Sequence, residues 1–211
     1  MMESILGTIA SPGDNLVPGP QAVVAGDTTY GYYGEFSGGL PQPQALCDLV
    51  NATEGGLLVT STTWLKFCDG GKIYFMTKVP IRNNMRWSEL DAKGLVTGKQ
   101  ITIGKHTYIC RIMTGIADKA AGTAGGEWNR WMYPLCTTRP SGPVWANFTV
   151  TQLGVTSTTN GGGANWVQEE QTSAPAYHYY RGFTGIAVVG KEVSNSNIGN
   201  YGWRPILELV N

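Results

Sequence analysis

The sequence predicts a β-rich α+β fold: a single compact domain of short strands, hairpins and two or three short helices, with an extended N-terminal arm. Three observations lead to this fold class. The chain of 211 residues has 29 Gly and 11 Pro, and 14% of it is charged, against roughly 25% in an average soluble domain. Turn signals such as Asp-Gly separate runs of β-forming residues. At 42% hydrophobic content, the chain can bury one sizeable core.

Residues 1–43 are predicted to form the arm, and residues 44–211 the globular domain. The first segment is rich in Gly, Pro, Asp and Thr, with one apolar patch at 22–25 and an aromatic run at 30–34. This composition offers little independent core, so we expect the arm to become ordered by packing on a neighbour.

Three short helical segments are predicted. Pro43 is placed to begin the first, and Asn51 to end it. Ser88 and Asp91 have the spacing of a capping box, and Gly94 is placed to end one or two turns. The third segment has apolar residues at helical spacing and a closing proline: Trp128, Trp131, Met132, Leu135 and Pro134.

Hairpins account for most of the predicted strands. The runs 63–68 and 72–79 flank an Asp-Gly turn, which is the strongest short-range hairpin signal. A second hairpin joins 100–103 to 107–113. Further short strands are predicted at 57–59, 148–153, 186–189 and 206–210.

Charge and hydropathy argue against two classes of partner, nucleic acids and membranes. The chain has 15 basic and 15 acidic residues without a basic cluster, so no nucleic-acid contact is expected. No window has the roughly 20 apolar residues of a membrane span, and the start does not resemble a signal peptide. We therefore expect cytoplasmic synthesis with reduced cysteines. These are Cys47, Cys68, Cys110 and Cys136.

Familiar catalytic signatures are missing from the sequence. A nucleophilic triad needs a histidine, and only His106 and His178 are present. The chain has no phosphate-binding loop, nucleophile elbow or zinc-protease motif. We therefore predict no enzymatic activity, no cofactor and no metal. The alternative left open is a carbohydrate-acting enzyme, with carboxylates drawn from Asp118, Glu127, Glu169 and Glu170.

Aromatic residues are abundant, with seven Trp and ten Tyr. Such rings fill a core or stack on sugars and partner surfaces. The tryptophans beside predicted regular elements are interpreted as structural: Trp64, Trp87, Trp128 and Trp203. The rings in loop-like, Gly- and Asn-rich stretches form a candidate binding set: Trp145, Trp166, Tyr177, Tyr179 and Tyr180.

Two pairs of charged residues are candidate framework contacts. Glu127 and Arg130 are expected to form a buried ion pair that fixes the central helix, with a solvated pair as the alternative. Arg204 and Glu208 are four residues apart and would share a face of the last strand.

An ordered set of motifs, spread from Trp64 to the C-terminus, resembles virion proteins of tailed bacteriophages. In chain order the motifs are W-L-K-F at 64–67, G-K-I-Y-F at 71–75, K-V-P-I-R at 78–82, G-E-W-N-R at 126–130, N-W-V-Q-E-E at 165–170, R-G-F at 181–183 and G-W-R-P-I-L-E-L at 202–209. The last three are also similar to the terminal pattern of C-type-lectin-like and formylglycine-generating-enzyme-like domains. Val167 stands where members of those families often have Cys, and their calcium-binding triplets and catalytic cysteine pair have no counterpart in this sequence.

The resemblance implies a structural component of a bacteriophage virion, in the tail, collar, baseplate or capsid surface. It implies contacts with other virion proteins and a homo-oligomer, with a trimer as the expected state. A contribution to host attachment is compatible with this role. The alternative is an adhesin module whose candidate binding set contacts a host surface glycan.

Overall fold

The computed structural model describes residues 16–115, 126–140, 142–171 and 173–210. Within these ranges, thirteen strands in two sheets, three short α-helices and one π-helical turn form a single body. The β-rich fold class predicted from the sequence is confirmed. No helix in the described ranges is long and apolar enough to cross a bilayer.

The larger sheet is antiparallel throughout and contains seven strands. Their bounds are β1 Ala25–Gly26, β2 Tyr30–Phe36, β4 Trp64–Asp69, β5 Lys72–Thr77, β7 Lys99–Ile103, β8 His106–Arg111 and β13 Ile206–Leu209. The order across the sheet is β1-β2-β4-β5-β13-β8-β7. The two predicted hairpins are confirmed as β4–β5 and β7–β8, and β13 lies between them.

The smaller sheet contains six strands. Their bounds are β3 Gly56–Leu57, β6 Arg82–Asn83, β9 Ala164–Glu170, β10 Tyr177–Gly182, β11 Val189–Val193 and β12 Tyr201–Trp203. The order is β11-β10-β9-β12-β6-β3, and the β12–β9 pair is parallel. Strands β12 and β13 belong to different sheets, so Arg204 and Pro205 form the crossing between them.

The helices are α1 (Pro43–Val50), α2 (Trp87–Ala92) and α3 (Tyr133–Leu135), and the π-helical turn is Trp128–Met132. Asn51 ends α1 in the left-handed conformation, as predicted. The predicted capping box of α2 is wrong. The helix starts one residue before Ser88, and the Glu89 carboxylate accepts a hydrogen bond from the Arg86 backbone N–H at 2.9 Å.

Two predicted strands are also wrong. Segment 148–153 has an isolated bridge at Phe148 followed by a turn, and 186–189 is a turn that leads into β11. Strands β9 and β10 were not predicted, because polar residues such as Asn165 and His178 interrupt their apolar pattern and are nevertheless buried.

Part of the segment predicted as an arm lies inside the larger sheet. Strand β2 pairs with β4 along its length, with Tyr32 opposite Phe67. Tyr32 and Tyr33 are buried, so this aromatic run supplies core contacts for the body itself. Residues 1–15 of the predicted arm lie outside the described residues.

The larger sheet is buried on both faces, which explains the nearly continuous apolar run in β4. Trp64 and Phe75 face a cluster shared with α1, α2 and the smaller sheet. Leu65 and Phe67 face a second cluster shared with the π-helical turn and Trp145. All four cysteines are free and buried.

Candidate functional site

The candidate binding set of aromatic residues does not form a surface. Trp145, Trp166 and Tyr179 are 5%, 2% and 7% exposed. Trp166 lies in β9, where its indole N–H donates to the Met85 carbonyl at 2.7 Å. Their burial contradicts the prediction that these rings stack on sugars: strand pairing turns Trp166 and Tyr179 into the core, and Trp145 packs into the core from a loop.

The other two members of the set are less buried and differ from each other in position. Tyr177, at the start of β10, is 37% exposed. Tyr180 is half-buried and lines a cavity of about 80 Å³ together with Phe183 and Tyr201. The two tyrosines are three residues apart on one strand, so their side chains lie on opposite faces of the sheet.

The tryptophans interpreted as structural occupy the interior. Trp64, Trp128 and Trp203 are fully buried, and the Trp128 indole donates to the Ile186 carbonyl at 2.8 Å. Trp87 is half-buried, stacks on His178 with ring centroids 3.6 Å apart, and donates to the Val167 carbonyl. Trp128 and Trp87 therefore contribute to the fold both by ring packing and by an indole hydrogen bond.

The predicted ion pair between Glu127 and Arg130 is wrong. Glu127 instead forms a bidentate pair with Arg111, with oxygen–nitrogen distances of 2.7 and 2.6 Å. The Thr114 backbone N–H also donates to this carboxylate, at 2.9 Å. Glu127 comes just before the π-helical turn and faces β8. Arg130 lies within the turn, and its side chain extends toward Asp69.

A second carboxylate extends this buried pair to the surface. Glu208 contacts Arg111 at 3.1 Å and Lys72 at 2.6 Å. Burial by itself would lower the pKa of Arg111, but the carboxylates of Glu127 and Glu208 raise it overall. Burial would likewise raise the pKa of Glu208, but hydrogen bonds from Lys72 and Arg111 lower it overall. Arg111 and Glu208 therefore remain charged at neutral pH.

Arg204 does not pair with Glu208, contrary to the prediction that they share a face. It is fully buried at the crossing between the two sheets and donates to the Asn165 side chain at 3.0 Å and to the Thr77 carbonyl at 3.1 Å. It also donates to the carbonyls of Lys78 and Leu153. Burial lowers its pKa to about 9.

Arg181 is a second fully buried guanidinium, for which no role is predicted from the sequence. It donates to the Gly115 carbonyl, the Asn129 side chain and the Tyr133 hydroxyl, each at 2.8 Å. Burial lowers its pKa. The only signal in the sequence was its place in the R-G-F motif.

Two of the four carboxylates considered for sugar hydrolysis are engaged in internal contacts, whereas Glu170 is exposed at the end of β9. Both oxygens of Glu169 accept the Gly115 backbone N–H, at 2.9 and 2.8 Å, and Glu127 is held by Arg111. Asp118 lies outside the described residues. Across the described part of the chain, no cluster of His, Cys, Asp and Glu is arranged to hold a metal ion.

A surface pocket of about 430 Å³, which we call the Asp69 pocket, brings together residues from distant parts of the chain. Four stretches of chain meet there: the β1–β2 turn, the β4–β5 turn, the π-helical turn and the segment around Pro143. The lining residues are Thr29, Tyr30, Asp69, Gly70, Arg130 and Pro143.

Hydrogen bonds fix the polar groups of the Asp69 pocket. Oxygen Oδ2 of Asp69 accepts from Arg130 Nε at 2.7 Å and from the Trp131 indole N–H at 2.9 Å. The Tyr30 hydroxyl donates to the Arg130 carbonyl at 2.5 Å. Burial and the nearby charge of Asp69 raise the pKa of Tyr30 to about 12, so the phenol stays protonated at neutral pH.

The β4–β5 turn positions Asp69 at the pocket. Gly70 and Gly71 have φ values of +61° and +77°, which glycine adopts without the steric cost of a Cβ. The Gly71 N–H donates to the Thr29 carbonyl at 3.3 Å, which ties this turn to the β1–β2 turn. The sequence predicted the turn, but Arg130 lies 61 residues further along the chain and no local pattern connects them.

Comparison of the chain with protein-family models, curated proteins and solved structures finds no match.

Proposed function

We propose that this chain is a structural component of a bacteriophage virion, located in the tail, collar, baseplate or capsid surface. Its body would be C-type-lectin-like, and it would assemble with other virion proteins and with copies of itself, a trimer being the expected state. A contribution to host attachment belongs to the same proposal.

One observation carries the proposal. The motifs that resemble phage virion proteins coincide with the buried framework of this fold. Trp64, Trp128 and Trp203 fill the core, and Arg181 and Arg204 join separate segments through their side chains. A likeness concentrated in framework residues favours a shared scaffold over a shared catalytic site.

The surface near the N-terminal end of the described chain supports an assembly role. Leu16 and Val24 are 58% and 66% exposed. Both belong to the segment predicted as an arm, and apolar side chains there would gain free energy by packing on a neighbouring subunit. We place the contact with other virion proteins at this end.

The composition of purified particles tests the proposal. Virions are banded on a density gradient and quantified by mass spectrometry, with lysis and replication proteins of the same phage as the non-structural control. We expect this chain to band with the particles at a constant ratio to the major capsid protein. Abundance in the lysate together with absence from the particles would refute the proposal.

Complementation with variants makes the test specific to the fold. A chain with Arg204→Ala, supplied in place of the native one, should not be incorporated, because the junction between the sheets is lost. Tyr177→Ala changes an exposed ring and should be incorporated normally. Equal incorporation of both variants would contradict a role that depends on the scaffold.

A further inference from the structure

The charge of the Asp69 pocket is compensated within the pocket. Asp69 and Arg130 form an ion pair at 2.7 Å, and their side chains are 18% and 36% exposed. Such a pair presents hydrogen-bonding groups to solvent without a net charge that would draw an anion or a cation. Among the described residues, no hydrogen bond reaches the second carboxylate oxygen of Asp69, Oδ1. That oxygen is an acceptor for a hydroxyl group.

Two of the other residues that line the pocket contribute rings. The rings of Tyr30 and Pro143 line it, and Trp145 packs against Tyr30 with ring centroids 4.7 Å apart. Aromatic rings pack well against flat C–H surfaces. A ligand that fits both walls therefore carries hydroxyl groups along one edge and C–H groups on one face.

Contacts inside the fold orient the polar groups of the pocket. Asp69 is oriented by Arg130 and Trp131, and Trp131 in turn stacks on Phe67 at 5.4 Å. Arg130 is presented by a π-helical turn, a rare conformation that occurs frequently at functional sites. The volume lies within the range of about 300–1,000 Å³ typical of small-molecule sites.

From this combination we propose that the Asp69 pocket binds a neutral saccharide unit. Asp69 Oδ1 accepts a hydrogen bond from a sugar hydroxyl, and the ring of Tyr30 packs against the C–H face of the pyranose. The inference concerns the isolated chain and stands whether or not the protein belongs to a virion.

Indole resonances provide a direct readout of binding. The native chain of 211 residues is titrated with methyl glucoside, methyl galactoside, methyl mannoside, N-acetylglucosamine and maltose, and the proton–nitrogen correlations of the seven tryptophans are recorded. The Trp131 peak is assigned by its loss in Trp131→Phe. Binding should move this peak in a saturable manner, because its N–H donates to Asp69.

Two variants and a matched control locate the binding site. Asp69→Asn should weaken binding about tenfold, the loss expected for one charge-assisted hydrogen bond. Gly70→Asn should abolish it by adding a side chain at the pocket rim, where a Cβ meets no other atom within 4 Å. Gly71→Asn is the control: it has similar backbone geometry and open space but does not line the pocket. Asparagine tolerates this left-handed conformation.

Several outcomes would overturn the proposal. Absence of a Trp131 shift with every neutral sugar would refute it, as would unchanged binding in Gly70→Asn at a melting temperature equal to that of Gly71→Asn. Tighter, salt-dependent binding of N-acetylneuraminic acid would refute the neutral ligand class. Failure in this assay leaves the particle-composition test unaffected, so the two proposals can fail separately.

Discussion

Arg111 and Arg204 are two buried arginines that are stabilised in different ways. Arg111 has two carboxylate partners, Glu127 and Glu208, and its pKa is raised. Arg204 has four neutral acceptors, three of them backbone carbonyls, and its pKa is lowered to about 9. One site balances charge with charge, whereas the other surrounds a charge with peptide dipoles.

The difference follows from what each arginine has to join. Arg111 and its partners connect β8 and β13, which are already neighbours in one sheet, to the start of the π-helical turn. Arg204 joins β9 of the smaller sheet to β5 of the larger one, where its acceptors are one side-chain amide and backbone carbonyls. A guanidinium suits this task because its five N–H donors point in several fixed directions.

The largest effect is expected for Arg204→Ala. The change leaves three carbonyls and an amide without a donor and opens a cavity at the junction of the sheets. We expect the free energy of unfolding in urea to fall by about 4 kcal/mol. Arg204→Lys should recover little, because one ammonium cannot reach all four acceptors. Full recovery by lysine would mean that the charge alone matters here.

Glu127→Ala should have the next largest effect. Arg111 would keep Glu208, but the bidentate pair and the acceptor for the Thr114 N–H would be lost. We expect a loss of about 3 kcal/mol in the same assay, because one partner of a buried pair is removed. A larger loss of unfolding free energy for Glu127→Ala than for Arg204→Ala would reverse this ranking. It would mean that the buried ion pair stabilises the fold more than the junction between the sheets does.

Lys66 extends the comparison to a cation that can lose its charge. It is buried, donates to the Pro20 carbonyl at 2.6 Å, and burial lowers its pKa to about 8 from 10.5 in the unfolded chain. Between these two pH values the unfolded state binds more protons, so the stability of the fold rises with pH. Relative to Lys66→Met, the free energy of unfolding in urea should rise by about 2 kcal/mol from pH 8 to pH 10. A flat difference across that interval would show that Lys66 keeps its charge.

The smallest effect is expected for Lys72→Ala. Its side chain is 62% exposed, although its nitrogen lies 2.6 Å from Glu208. Exposed pairs contribute little, so the loss should be below about 0.5 kcal/mol and should vanish in high salt. A larger, salt-independent loss would indicate that the Arg111 network depends on its outermost member.

Local patterns predicted much of the fold. The hairpin around Gly70, the helix that begins at Pro43 and the strand after Pro205 follow from turn chemistry and β-propensity acting over a few residues. Strands β9 and β10 could not be predicted, because their buried polar residues are satisfied by distant partners. Asn165, for example, accepts from Arg204, 39 residues away.

The candidate site was less predictable than the fold. The abundance of aromatic residues pointed to Trp145 and Trp166 as surface rings. Their exposure depends on which segments pack against them in the folded chain, and composition contains no information about that packing. Glu127 and Arg130 are neighbours in sequence but turn to opposite partners, Arg111 and Asp69. The Asp69 pocket depends on four distant segments, so only the folded chain reveals it.

Strand β13 has a consequence for synthesis on the ribosome. It inserts between β5 and β8, pairing residues 206–209 with segments translated more than ninety residues earlier. Until it arrives, the nascent hairpins β4–β5 and β7–β8 each expose an unpaired apolar edge, which is a template for pairing with other chains. Many copies translated together would run the greatest risk of aggregation in that interval, so a chaperone that shields strand edges should raise the yield of folded protein.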